Sequence, residues 1–202
     1  WKTENGKDST EELCGEAQYW SQAAAEGPDT TTPTDTQGSF PAANCRTGNA
    51  TKDAVINALY SVGIKTPNAF AGVLGNFQAE SAIQANRHNL ARPGKGCGNT
   101  PGGPLGITGY GIAQWCGSRQ TNIFNRCGRT STLNCELQFM VEEIRIGRDT
   151  DPNLVANMNA ASSPSAAADA WNAGFERGPG GIQKRRDAAV ANLPQIKCDK
   201  PT

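Results

Sequence analysis

Histidine is almost absent from this chain of 202 residues, with His88 standing alone, and methionine occurs only twice. One histidine cannot build a Cys2His2 metal site, and without a partner motif it offers no serine or cysteine catalytic triad. Net charge is missing too, because nineteen basic residues match nineteen acidic ones. That balance provides no field to draw in nucleic acid, so no nucleic-acid partner is expected. No apolar run reaches the ~18 residues of a membrane-crossing helix. Pro93-Gly94-Lys95-Gly96-Cys97-Gly98 is glycine-rich but lacks the Gly-Lys-Ser/Thr ending of a phosphate loop. No metal and no cofactor are therefore expected. The chain starts at Trp1, which suits a processed secreted form or an excised piece of a larger protein.

Cysteine, by contrast, is plentiful. Seven cysteines are too many for idle thiols in a reducing cytosol, and none are spaced as C-x2-C. They read as a disulfide set with one residue left over. Spacing leaves the connectivity open; the pairings put to the structure are Cys97–Cys116, Cys127–Cys135 and Cys45–Cys198. An oxidising, extracellular location follows from that reading.

Two regions differ in texture. Residues 1–50 combine a candidate helix over Thr10–Ala25 with the polar stretch Gly27-Pro28-Asp29-Thr30-Thr31-Thr32-Pro33-Thr34, and read as an N-terminal extension or linker. Residues 51–202 carry helical periodicity. Thr51 is a candidate cap for a helix with Val55, Ile56, Leu59 and Val62 on one face. Pro67-Asn68 opens a second, with Phe70, Val73, Leu74 and Phe77 at i, i+3, i+4 and i+7. Asn134 is a candidate cap for a third. Asp151-Pro152 and Ser163-Pro164 read as cap-then-proline starts, and a last helix spans Ile182–Leu193 up to Pro194. Between Asn86 and Gly117 lies a Gly/Pro-rich stretch with room for a short hairpin. The fold class is mainly α, with a long irregular loop or small β-hairpin, disulfide-stabilised.

Extending the Phe70/Val73/Phe77 stripe by three residues reaches Glu80, at the C-terminal end of its helix. The negative end of the helix dipole and an apolar neighbourhood both disfavour ionisation there. Such surroundings keep a glutamic acid protonated for donation to a glycosidic oxygen. A glutamate at the edge of an amphipathic helix that merely reaches solvent fits the same pattern. Tyr110-Gly111-Ile112-Ala113-Gln114-Trp115 sets an amide among aromatic groups, as a sugar groove requires. Ala170-Trp171-Asn172-Ala173-Gly174-Phe175-Glu176 sets an asparagine among small residues. Each stretch taken alone is also compatible with core or turn.

Together, Gly75-Asn76-Phe77-Gln78-Ala79-Glu80-Ser81 and the two later stretches resemble the three signature motifs of goose-type lysozymes and lytic transglycosylases. The phage tail lysozyme family is more similar still. Its pattern GxxGNxxxES is met by Gly72 to Ser81, and GYGxxQWxxxR by Gly109 to Arg119. A helix with Gln, Phe and Glu is met over Leu137 to Glu143. Phe175-Glu176 is followed by Arg185 or Arg186 before Ala189. The resemblance covers residues 50–195 and implies a lysozyme-like domain over 51–202 that cleaves the β-1,4 bond between N-acetylmuramic acid and N-acetylglucosamine in peptidoglycan. It puts Glu80 at the acid position with Ser81 as its partner. Tyr110 and Gln114 line the groove beside Trp115, and Asn172 is the third-motif asparagine. The family's tyrosine in that motif is Trp171 here, which removes a hydroxyl.

The second carboxylate stays open. An inverting hydrolase needs a base ~6.5–9.5 Å from the acid, whereas a lytic transglycosylase needs none. Glu176 is the candidate base, with Glu143 and Asp169 behind it, though Glu176 also has Arg177 and Arg185 as candidate ion-pair partners. A muramidase is the first expectation. A lytic transglycosylase, or a non-catalytic glycan-binding or virion module, is the alternative. A monomer acting outside the cytoplasm, secreted or on a phage tail, completes the reading.

Overall fold

The computed structural model describes residues 40–90, 107–147, 149–178 and 180–199. The helix expected over Thr10–Ala25, the polar stretch after it and the cysteines Cys14 and Cys97 lie outside the described residues. Within them the architecture is mainly helical. In chain order the elements are β1 (Cys45–Arg46), α1 (Ala50–Ser61), α2 (Pro67–Ser81), β2 (His88–Leu90), β3 (Ile107–Tyr110), α3 (Ser118–Cys127), α4 (Leu133–Ile146), α5 (Leu154–Asn159), α6 (Pro164–Trp171), a π-helical turn (Asn172–Glu176), α7 (Ile182–Asn192) and β4 (Lys197–Cys198).

Helix α2 is the axis of the core. Every residue from Ala69 to Phe77 is buried, so the expected apolar stripe is in fact an apolar cylinder, as in a helix enclosed by others. Its glycines let the neighbours close in. A Cβ on Gly72 would lie 2.6 Å from Ala167 of α6, and one on Gly75 would lie 2.5 Å from the Ala189 amide of α7. Both are closer than real side chains allow, so the two positions admit only glycine at this helix spacing.

Helix starts follow side-chain capping. Thr66, Thr132, Ser163 and Asn49 each accept from the amide three residues on, at 3.1–3.2 Å, and Pro67 and Pro164 occupy first-turn positions. Thr51 and Asn134 are not the caps: each lies inside its helix, two residues past the extended residue that does the capping. After Asp151-Pro152 the helix begins at Leu154, because the Asp151 carboxylate closes a turn onto the Asn153 amide at 2.8 Å. Helix α7 ends at Asn192 and passes into a 3-10 turn, Leu193–Gln195, that contains Pro194.

Two antiparallel strand pairs complete the fold. β1 pairs with β4, setting Cys45 opposite Cys198, and these two are disulfide-bonded. β2 pairs with β3 in the Gly/Pro-rich region, with His88 opposite Tyr110. A second disulfide, Cys127–Cys135, ties α3 to α4. Among the described residues no helix is long and apolar enough to cross a membrane, and no His/Cys/Asp/Glu group could hold a metal ion.

Candidate active site

Glu80 sits in the last turn of α2. The helix stops there because Ala82 and Ile83 both turn to positive φ, 58°. Ser81, fully buried, donates its hydroxyl to the Phe77 carbonyl at 3.1 Å and the Ile112 carbonyl at 2.8 Å. It thereby fastens the end of α2 to the Tyr110–Trp115 segment. The Glu80 side chain remains 21% exposed and pairs with Arg185 of α7, whose own side chain is 8% exposed. Arg185 also donates to the Gly180 carbonyl, and burial lowers its pKa below the usual guanidinium range. A guanidinium in contact with a carboxyl favours the ionised form. The helix end and apolar surroundings disfavour charge, and the Arg185 guanidinium, which neither feature announces, acts against both.

Glu176 closes the π-turn that continues α6. That turn stacks Phe175 on Trp171 with ring centroids 4.4 Å apart, and the Trp171 indole N–H donates to Glu176 Oε1 at 3.1 Å. Burial pushes the Glu176 pKa up to about 8. Arg119 and the Trp171 hydrogen bond pull it down, while Glu143 and Cys116 push it further up. Arg185 is not its ion-pair partner, since that side chain is engaged by Glu80.

The other two carboxylates considered are committed elsewhere. Glu143, 3% exposed, takes a two-pronged contact from Arg119 at 2.7 Å to each oxygen, plus the Trp115 indole N–H at 2.8 Å. Asp169 makes a two-pronged pair with Arg186 at 2.8 Å on the surface.

Arg185 runs from Glu80 to the Gly180 carbonyl, and Gly178 accepts from Asn172 Nδ2 at 3.0 Å, at the head of the π-turn. Phe77, one turn before Glu80, packs edge-on against Trp171 at 5.9 Å, and the Trp171 indole donates to Glu176.

The residues expected to line a groove are placed deeper than a lining would be. Tyr110 and Trp115 are buried, and Gln114 and Asn172 nearly so. The segment closes on itself through paired backbone hydrogen bonds between Tyr110 and Trp115, at 3.0 and 2.9 Å. Gln114, at φ 53°, donates to the Gly111 carbonyl at 2.7 Å and the Arg87 carbonyl at 3.1 Å. The Tyr110 hydroxyl meets Asn86 at 2.8 Å and Ser131 at 2.7 Å. These contacts fix the shape of the segment, and every residue from Tyr110 to Trp115 is buried.

Glu136 has no motif around it, yet it anchors this region. Fully buried, it accepts from the Asn86 and Ile112 amides at 2.7 Å each and from the Ser131 hydroxyl. Burial raises its pKa, and those three donors act against the rise. His88 packs edge-on against Tyr110 at 5.0 Å.

The model of the phage tail lysozyme family matches residues 50–193. No curated protein matches the chain.

Proposed function

The chain belongs to the phage tail lysozyme family, and from that premise we propose that it is a muramidase. It hydrolyses the β-1,4 bond between N-acetylmuramic acid and N-acetylglucosamine, with Glu80 as proton donor and Glu176 as general base. Action on peptidoglycan follows from the family. What supports the finer assignment is that the glutamates of two motifs sit in opposite electrostatic surroundings, Glu80 against the Arg185 guanidinium and Glu176 beside the Trp171 indole N–H with burial raising its pKa.

Glu80 faces the Arg185 guanidinium, and burial pushes Glu176 toward its neutral form. Glycan seated against Glu80 displaces Arg185, and the carboxyl then takes up the proton it donates. Glu176 titrates near 8, which makes it a stronger base than an ordinary carboxylate once deprotonated, because proton-accepting power rises with pKa. The side chains Ser81, Tyr110, Gln114, Trp115 and Asn172 act chiefly by holding the fold around the two glutamates. The disulfides suit an oxidising location, and a virion tail or a secreted form both satisfy that.

The same charge pattern favours a second reading, in which the neutral Glu176 donates and the ionised Glu80 assists. The two assignments hold the same number of protons and share one pH–rate profile, so the leaving group separates them: with an aryl β-glycoside whose leaving group needs no proton, the glutamine variant of the donor regains turnover and that of the base does not. On purified peptidoglycan a lytic transglycosylase keeps its rate in Glu176→Gln, and a glycan-binding module gives no rate.

A further inference from the structure

Three stretches far apart in sequence meet at Arg119. Its Nε and Nη2 grip both oxygens of Glu143 on α4 at 2.7 Å. Its Nη1 donates to the Phe175 carbonyl at 2.8 Å, and its guanidinium carbon lies 4.5 Å over the Phe175 ring. Trp115 donates to the same Glu143 at 2.8 Å. Phe175 is the residue immediately before Glu176, so the guanidinium holds the π-turn by both its backbone and its ring. We infer that Arg119 and Glu143 form a buried positioning pair in which Arg119 fixes the turn presenting Glu176, and Glu143 cancels the arginine's charge so that Glu176 is not forced to ionise.

A lone arginine could supply the same grip, and Glu143 would then be unnecessary. With its charge unbalanced, however, it would draw the Glu176 carboxyl further toward its ionised form. Glu143 is placed to prevent that. The groups facing Glu176 are Arg119, which pulls its titration down, and Glu143 and Cys116, which push it up, together with the Trp171 N–H. Both members of the pair are largely buried, Arg119 14% and Glu143 3% exposed. Its role extends the two-carboxylate reading above and depends on that reading only for the catalytic use of Glu176.

The test is the Glu176 carboxyl titration, followed by carbon NMR of the glutamate side chains in the full chain, wild type against Glu143→Gln. The amide keeps one acceptor for Arg119 and Trp115 but removes the negative charge. The expected result is a midpoint near 8 in the wild type and lower by about one unit or more in the variant. An unchanged midpoint in a folded Glu143→Gln protein overturns the inference. Arg119→Lys gives a second test that keeps the charge and loses the grip on the Phe175 carbonyl. Its midpoint should stay near the wild-type value while kcat falls about tenfold with KM unchanged, and a folded variant with wild-type kcat also overturns it. Failure of the two-carboxylate reading looks different: Glu176→Gln would turn over normally even though Glu143→Gln moves the midpoint.

Discussion

Glu80 and Glu176 are the same side chain in contrasting settings. Glu80 stands at a helix end, a fifth exposed, against a guanidinium that crosses from α7. Glu176 stands partly buried in a π-turn, with an indole N–H as its direct donor and a nearby guanidinium already gripped by another carboxylate. One faces a cation, and the other is pushed toward its neutral form by burial. Environments that push two carboxyls apart are how a single residue type supplies both members of an acid–base pair. The contrast teaches that the two carboxyls differ chiefly in their arginines: Arg185 pairs directly with Glu80, whereas Arg119 acts on Glu176 from a distance while gripped by Glu143.

The sharpest way to break the contrast is to neutralise each member. Glu80→Gln should lower kcat on peptidoglycan about a thousandfold or more, with thermal stability little changed. Glu176→Gln should lower hydrolysis about a hundredfold. It should also change how stability responds to pH. The folded pKa of about 8 lies above the usual 4.5, so the native state holds the proton more tightly. That stabilisation is full below pH 4.5 and is lost as pH rises through 8. Glutamine has no proton to lose, so calorimetry should place the variant's Tm above wild type by about 5 °C at pH 9 and close to it at pH 5.

Smaller changes sharpen the contrast without abolishing it. Arg185→Met removes the guanidinium that pairs with Glu80 and holds the Gly180 carbonyl, and should lower the calorimetric Tm by about 5 °C. Trp171→Phe removes the N–H from Glu176 but keeps the ring over Phe175. It should raise the Glu176 midpoint by about half a unit, and a lowered midpoint would contradict the direction assigned to that hydrogen bond.

Much of this was readable from the chain because it is local. The Phe70–Phe77 repeat, the proline starts at Pro67 and Pro164, and the motifs around Glu80, Tyr110–Trp115 and Trp171–Glu176 are short-range patterns. Of the disulfides, Cys127–Cys135 and Cys45–Cys198 are both formed as expected, whereas Cys97–Cys116 involves a residue outside the described ones. Helix α3 escaped, since Ile123 and Phe124 are its only bulky apolar residues and its buried Gln120 imitates a loop residue. The π-turn has no sequence signature. Arg185 could not be assigned to Glu80, because that contact is made by the packing of α7 on α2 across 105 residues. Glu136 reads as an ordinary helix-face acid, and only its three buried donors reveal otherwise. Tyr110 and Trp115 show the converse limit: an aromatic ring looks the same in sequence whether it faces a sugar or the core.

The most direct measurement of the central claim is the mass of the fragments released from purified peptidoglycan by wild type and by Glu80→Gln. The account predicts fragments ending in reducing N-acetylmuramic acid from the wild type and none above background from the variant. Anhydromuramic ends, lighter by one water, would contradict hydrolysis, and a fully active Glu80→Gln protein would contradict the site itself.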